Sequence, residues 1–329
     1  MKYQKYFGTA LAAVMLVVLG FVIRIDYFLV MPSRAVELGG IIVVENGDPD
    51  DEGSFYLVTV SQKRASLITA LYGKVHPYID ITPMENVIPS NMDESEYRQL
   101  LIENMVESRH LAQVVALRRT GYEVEIMSDG VEIVGLSDDA PAEGFLFEGD
   151  IILSVDDIPV FLATEVPLMV QDRQVGSEVT LALSRGGQEL SVSLPTGASP
   201  DDEEMPFLGI FIKTLPWEPV LPINIYMDTG RIGGPSAGLM FVLEIMNQLD
   251  PEDITGGKSI AGTGTIDING NVGRIGGVVQ KVVAADRVGA EYFLVPQGNY
   301  ELAKSVGRGI TLVPVENLDE VLEFLRTLN

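Results

Sequence analysis

The chain has no cysteine, two histidines and one tryptophan, and its 22 lysines and arginines face 47 aspartates and glutamates, for a formal net charge of -25. Each scarcity excludes something. Without cysteine there is no disulfide framework, no thiol nucleophile and no thiolate metal site, and nothing reports the redox state of the compartment. Both histidines, His76 and His110, lie far ahead of the C-terminal third, so no histidine-based serine triad can be built there. His110 has no second histidine, cysteine or acidic pair at ligand spacing, and neither a metal nor another cofactor is expected. The acidic balance argues against binding nucleic acid and against a polybasic grip on anionic lipid. No internal repeat is visible.

The most informative segment present is Gly234-Pro235-Ser236-Ala237-Gly238, which opens into the apolar helical run Leu239 to Leu249. Glycines and a proline make a sharp turn that places Ser236 near a helix N-terminus. There, backbone N-H groups without intrahelical partners are available to an oxyanion, which makes Gly234 and Ala237 part of a nucleophile loop. Further on, Lys281 shares a helical stripe with Val278, Ala285 and Val288. A lysine on an apolar stripe loses solvation, and its lowered pKa suits it to take a proton from a serine. The plainer reading makes Ser236 a helix cap and Lys281 a residue that snorkels to water. Serine and lysine together, joined by the strand-like segment Ile260 to Ile266, favour catalysis.

From about Val220 to the C-terminus the sequence resembles the proteolytic domain of Lon-type serine-lysine proteases. The matching elements are Gly234 to Gly238, Thr263-Gly264, Gly270-Asn271-Val272-Gly273, Ile275-Gly276-Gly277, Lys281 and Ala284-Ala285. The resemblance implies Ser236 as nucleophile, Lys281 as base and Thr263 as a hydroxyl that helps hold the lysine. Two positions depart from the family pattern. Gly233 stands where energy-dependent members often carry an acidic residue, and Thr265 stands where they commonly have glutamate. No ATPase module accompanies the domain: Gly256-Gly257-Lys258-Ser259 mimics the end of a phosphate-binding loop, but Glu252 occupies the position of its first glycine.

Lys2 and Lys5 precede an uncharged run from Tyr6 to Ile23, closed by Arg24. At about 1.5 Å per helical residue the run is just long enough to span a bilayer, and no small-residue cleavage site follows it. It reads as a signal anchor over residues 1-30, giving a single-pass protein at the cell membrane with the bulk of the chain extracytoplasmic. Residues 31-120 read as a strand-and-helix region, with strands at Gly40 to Glu45 and Ser54 to Ser61. A long helix follows from about Asp93 to Arg119, with a solvated outer face and a capping pattern at Asp93 and Glu96. Acidic, turn-rich stretches at Asn46 to Gly53 and Gly197 to Glu204 read as joins.

From Gly121 to Leu194 short strands alternate with turns. Ala140-Pro141-Ala142, Gly149-Asp150-Ile151-Ile152 and Asp156-Asp157-Ile158-Pro159-Val160 occur in the order that resembles a PDZ domain, here residues 121-197. The resemblance implies a groove that takes an extended peptide as an added strand. The weak candidate for its carboxylate loop is Gly121-Tyr122, and a helix C-cap at Gly121 is an equal reading.

The expected fold is α+β and multidomain: a transmembrane helix, a strand-helix region, a PDZ-like β-rich domain and a Lon-type α/β proteolytic domain over 205-329. The expected function is an ATP-independent extracytoplasmic serine endopeptidase acting on polypeptides with flexible or unfolded segments, possible as a homo-oligomer. The alternative is an inactive scaffold that tethers partner tails at the membrane.

Overall fold

The computed structural model describes the chain except residues 1-5, 7-10, 12, 13, 16, 49-51, 85, 86, 89-91, 138, 139, 164, 172, 200, 201, 308 and 329. It divides into two compact units, one made of residues 1-122 with 223-329 and the other of residues 123-222. The first unit is therefore interrupted in sequence by the second.

The first unit begins with β1 (Arg24–Glu37), β2 (Ile42–Val44), β3 (Ser54–Ser66), α1 (Leu67–Val75), β4 (Asp80–Pro83) and α2 (Glu94–Arg119). Ser66 ends β3 by capping α1, exchanging hydrogen bonds with Thr69. Asp93 caps α2 as its sequence predicts, accepting from the amides of Ser95 and Glu96 while Glu96 accepts from Asp93 N at 2.7 Å. The solvated outer face expected for α2 holds only for its first half. Met105, Ser108 and all of Leu111 to Leu117 are buried, because an apolar run that goes right round a helix must be covered on every side.

The second unit contains β5 (Glu125–Met127), β6 (Val131–Leu136), β7 (Ile151–Val155), β8 (Ile158–Pro159), α3 (Glu165–Gln171), β9 (Glu178–Arg185), β10 (Gln188–Pro195), β11 (Gly197–Ser199), β12 (Asp202–Phe207), β13 (Ile210–Thr214) and β14 (Glu218–Val220). Its sheet runs β10-β9-β7-β6-β13, with β8 on β7. Val131, Ile133, Ile152, Leu181 and Leu183 from alternate strand positions fill one core. Gly197 to Glu204 is not a join between units: β11 and β12 pair there within this unit. Residues 205-222 also belong to it, since β13 pairs antiparallel with β6 and β14 with β5.

The chain then returns to the first unit as β15 (Ile225–Met227), α4 (Gly238–Leu249), β16 (Ser259–Gly262), β17 (Thr265–Ile266), β18 (Val272–Gly273), α5 (Val278–Arg287), β19 (Tyr292–Pro296), α6 (Tyr300–Lys304), β20 (Thr311–Val315) and α7 (Leu318–Arg326). A single sheet, β20-β19-β16-β3-β1-β4, joins the two sequence segments. The β3-β16, β16-β19 and β19-β20 pairs are parallel, and the pairs of β1 with β3 and β4 are antiparallel. Residues 31-120 thus do not stand apart as a separate region. Their strands complete the sheet of the C-terminal segment, α5 packs on β1 and β3, and α4 packs on α2 and β2.

The expected transmembrane helix is corrected by the structure. Among the described residues no helix is long and apolar enough to cross a membrane. Residues 7-10, 12, 13 and 16 of the Tyr6 to Ile23 run lie outside the described residues, while Arg24 already starts β1, so the chain enters the sheet at once. The fold is mixed α/β with a PDZ-like unit and, among the described residues, no membrane-spanning helix, so the expected single-pass placement is not supported.

Candidate active site

The loop before α4 is held from two sides. Gly234 adopts φ +88°, a left-handed conformation that a side chain disfavours, and its N-H donates to Leu101 O of α2 at 2.7 Å. Ser108 Oγ, also on α2 and buried, donates to Pro235 O at 3.1 Å. From the other side, Gly264 N and Thr263 Oγ1 both donate to Ser236 O at 3.0 Å. Leu239 N returns a bond to Gly264 O at 3.1 Å. The hydroxyl of Ser236 is thereby fixed at the head of α4. The amides of Ser236 and Ala237 have no hydrogen-bond acceptor among the described residues. Gly234 differs, because its amide is committed to Leu101 and shapes the loop only.

Lys281 comes from the first turn of α5, which starts after Gly277 at φ +67°. A Cβ on Gly277 would lie 2.9 Å from Val60 Cγ1, so the turn fits only glycine against β3. Lys281 is 3% exposed, with Val278, Val282 and Ala285 buried around it. Val288, expected on the same stripe, lies beyond the end of α5 and is exposed. Lys281 Nζ is 2.7 Å from Ser236 Oγ and 2.8 Å from Thr263 Oγ1. Burial pushes its pKa from 10.5 down to about 7.

These residues open on a cleft of about 680 Å³ with an apolar wall from Val36, Leu57, Val58, Val87 and Met105. Gly233 also lines it, and a Cβ there would come within 3.2 Å of Leu101 Cβ. Helix α2 therefore crowds the place where energy-dependent relatives often carry an acidic side chain. The sequence reading brought together Ser236, Lys281 and Thr263. It missed Leu101, Ser108 and the walls from β1 and β3, which reach the site only through tertiary pairing.

Gly121 and Tyr122 do not form a carboxylate loop. Gly121 N donates to Arg118 O at 3.3 Å and Tyr122 N to Leu117 O at 2.9 Å, a helix-closing pair that uses both amides. In the second unit the sheet ends in β10 on one side and in β13, preceded by Leu208-Gly209, on the other. Phe211 on this strand is 59% exposed.

A serine hydroxyl against a buried amine whose pKa is lowered to about 7 is a site for attack on a carbonyl. Comparisons with known proteins agree with that class. Residues 221-327 match the Lon protease (S16) C-terminal proteolytic domain, and residues 113-196 match the PDZ domain. The Lon protease of Buchnera aphidicola subsp. Schizaphis graminum is 37% identical over 107 residues, 31% of this chain and 14% of that protein. That of Azospirillum brasilense is 37% identical over 107 residues, 31% of this chain and 13% of that protein. The chain thus spans about one seventh of the length of these curated relatives. The PDZ domain of the SdrC-like protein from Listeria innocua aligns at 26% identity over 26% of this chain and 93% of that one, with a TM-score of 0.24. The chain carries a Lon-type proteolytic domain, a serine-type peptidase domain, and a PDZ domain.

Proposed function

We propose that the protein is an ATP-independent serine endopeptidase in which Ser236 attacks a peptide carbonyl and Lys281 is the general base. The observation that carries this reading is the 2.7 Å contact between Ser236 Oγ and a lysine whose burial lowers its pKa to about 7. Thr263 gives the contact its direction. Its hydroxyl proton goes to Ser236 O, so toward Lys281 it can only accept. A neutral Lys281 spends an N-H on Thr263 and keeps its lone pair for the proton of Ser236.

In this reading, Ser236 Oγ forms a bond to the carbonyl carbon as its proton passes to Lys281 Nζ. The oxyanion takes the free amides of Ser236 and Ala237. The C-N bond breaks as Lys281 returns the proton to the leaving amine, and a water deprotonated by Lys281 then hydrolyses the ester, the proton going back to Ser236 Oγ. ATP independence is supported by Glu252 at the position of the missing glycine and by Lys258, whose ammonium pairs with Glu291 at 3.3 Å. Without an unfolding motor, substrates are polypeptides with flexible or unfolded segments. The PDZ unit would take an extended peptide along the open edge of β13.

Cleavage of an unstructured protein by wild type, Ser236→Ala and Lys281→Ala, with and without ATP, tests the proposal. Turnover lost in both folded variants and indifferent to ATP is expected. Equal turnover by all three would overturn the dyad, and a requirement for ATP would overturn the motor-free reading.

A further inference from the structure

We propose that the cleft beside Ser236 selects its polypeptides by charge, favouring segments with an aspartate or glutamate close to the scissile bond, and that Arg34 and Arg231 recognise that carboxylate. This rests on the hydrolytic reading of the cleft and adds a substrate class to it. The chain as a whole carries a net charge of -25. The cleft reverses that balance: among the described residues its ionisable lining is Arg34, Arg231 and Lys281 against Asp228. Asp228 is itself engaged, its Oδ1 accepting from Gly230 N at 3.0 Å and closing the loop that carries Arg231. Neither Arg34 nor Arg231 has an ion-pair partner among the described residues.

The two arginines reach the cleft from unrelated elements. Between β1 and β3 the register slips, so that Ser33 and Arg34 together oppose Thr59 between the Pro32-Val60 and Ala35-Val58 pairs. Thr59 Oγ1 donates to Arg34 O at 2.9 Å and pins the bulge. An extra residue of this kind re-aims a side chain out of the regular alternation of a strand. Arg231 lies on the loop that runs from β15 to Ser236. A carboxylate entering the cleft meets two planar, permanently charged forks that have no ion-pair partner among the described residues. The surrounding acidity repels the same peptide elsewhere on the surface, which focuses it on the cleft.

The probe is a pair of short unstructured peptides that differ only in glutamates or lysines flanking an apolar residue. Hydrolysis is followed with wild type, Arg34→Gln, Arg231→Gln and the double reversal Arg34→Glu/Arg231→Glu, and binding by fluorescence anisotropy in the Ser236→Ala background. Because exposed ion pairs contribute up to about fivefold each, wild type should favour the acidic peptide by about tenfold. Each glutamine variant should lose part of that preference, and the double reversal should favour the lysine peptide. The preference should shrink as salt is raised. Equal binding of the two peptides to Ser236→Ala, or a preference unchanged in the double reversal, would overturn the proposal. Hydrolysis that survives Ser236→Ala would instead overturn the dyad, and the binding preference would still be read independently.

Discussion

Asp150 in the PDZ unit and Lys281 in the proteolytic unit are both buried charged groups, and the two are treated in opposite ways. In the PDZ unit, Asp150 is 1% exposed and answered completely: Arg185 Nε reaches Oδ1 and Arg185 Nη2 reaches Oδ2, both at 2.7 Å, and Phe147 N donates at 2.9 Å. Burial would raise its pKa, but the arginine and the amide outweigh it and hold the carboxyl below 3.8. In the proteolytic unit, Lys281 is 3% exposed and meets only hydroxyls, so burial acts unopposed. A buried charge that is fully paired fixes a structure. One left without a counter-charge gives up its proton and becomes a base.

The largest effects should come from breaking the unpaired site. Ser236→Ala or Lys281→Ala should lower kcat/KM on an unstructured protein by about a thousandfold or more, read alongside circular dichroism to show that each variant stays folded. Breaking the paired site should instead unfold rather than inactivate. Asp150→Ala or Arg185→Ala should cost about 2 to 3 kcal/mol in denaturant melts of the PDZ unit, toward the low end for Arg185, which is partly exposed. That pair stabilises at neutral pH, and its contribution should fade as pH falls through the depressed carboxyl pKa below 3.8.

The same comparison predicts that the base is bought with stability. An unfolded chain holds a proton on Lys281 up to pH 10.5, whereas the folded chain loses it near 7, so folding is penalised most at pH 7 and below. Lys281→Met should therefore raise Tm at pH 7, and the gain should shrink as pH climbs toward 10.5; an equal gain at both would sever the link to ionisation. The smallest expected effect is that of Thr263→Val, which removes the acceptor that orients the amine. It should lower kcat by about tenfold with little change in KM, whereas Thr263→Ser should restore most of the rate.

Much of the site was legible because its signals are local. Ser236 sits in a turn that glycine and proline announce, and Lys281 interrupts an apolar helical stripe. The rest depends on pairing between distant segments. Nothing in Arg24 to Ser66 says that its strands will extend the sheet of β16, β19 and β20, and nothing around Leu101 or Ser108 says that α2 will grip the nucleophile loop. Composition misled at Gly197 to Glu204, where an acidic, turn-rich stretch supplies residues of the paired strands β11 and β12. At the N-terminus, hydropathy alone predicted a spanning helix, but among the described residues no helix is long and apolar enough to cross a membrane. Glycine at 121 was ambiguous until the amides of Gly121 and Tyr122 were seen to close α2.

The central claim is that Lys281 is neutral enough at physiological pH to act as a base, and its ionisation can be read directly. Titration of the Lys281 Cε and Nζ resonances in lysine-labelled wild type, assigned by their loss in Lys281→Arg, should give a midpoint near 7, matched by the rising limb of kcat/KM against pH. A midpoint near the ordinary 10.5 would contradict the account, because the amine would then remain an ammonium throughout the working range and could not take the proton of Ser236.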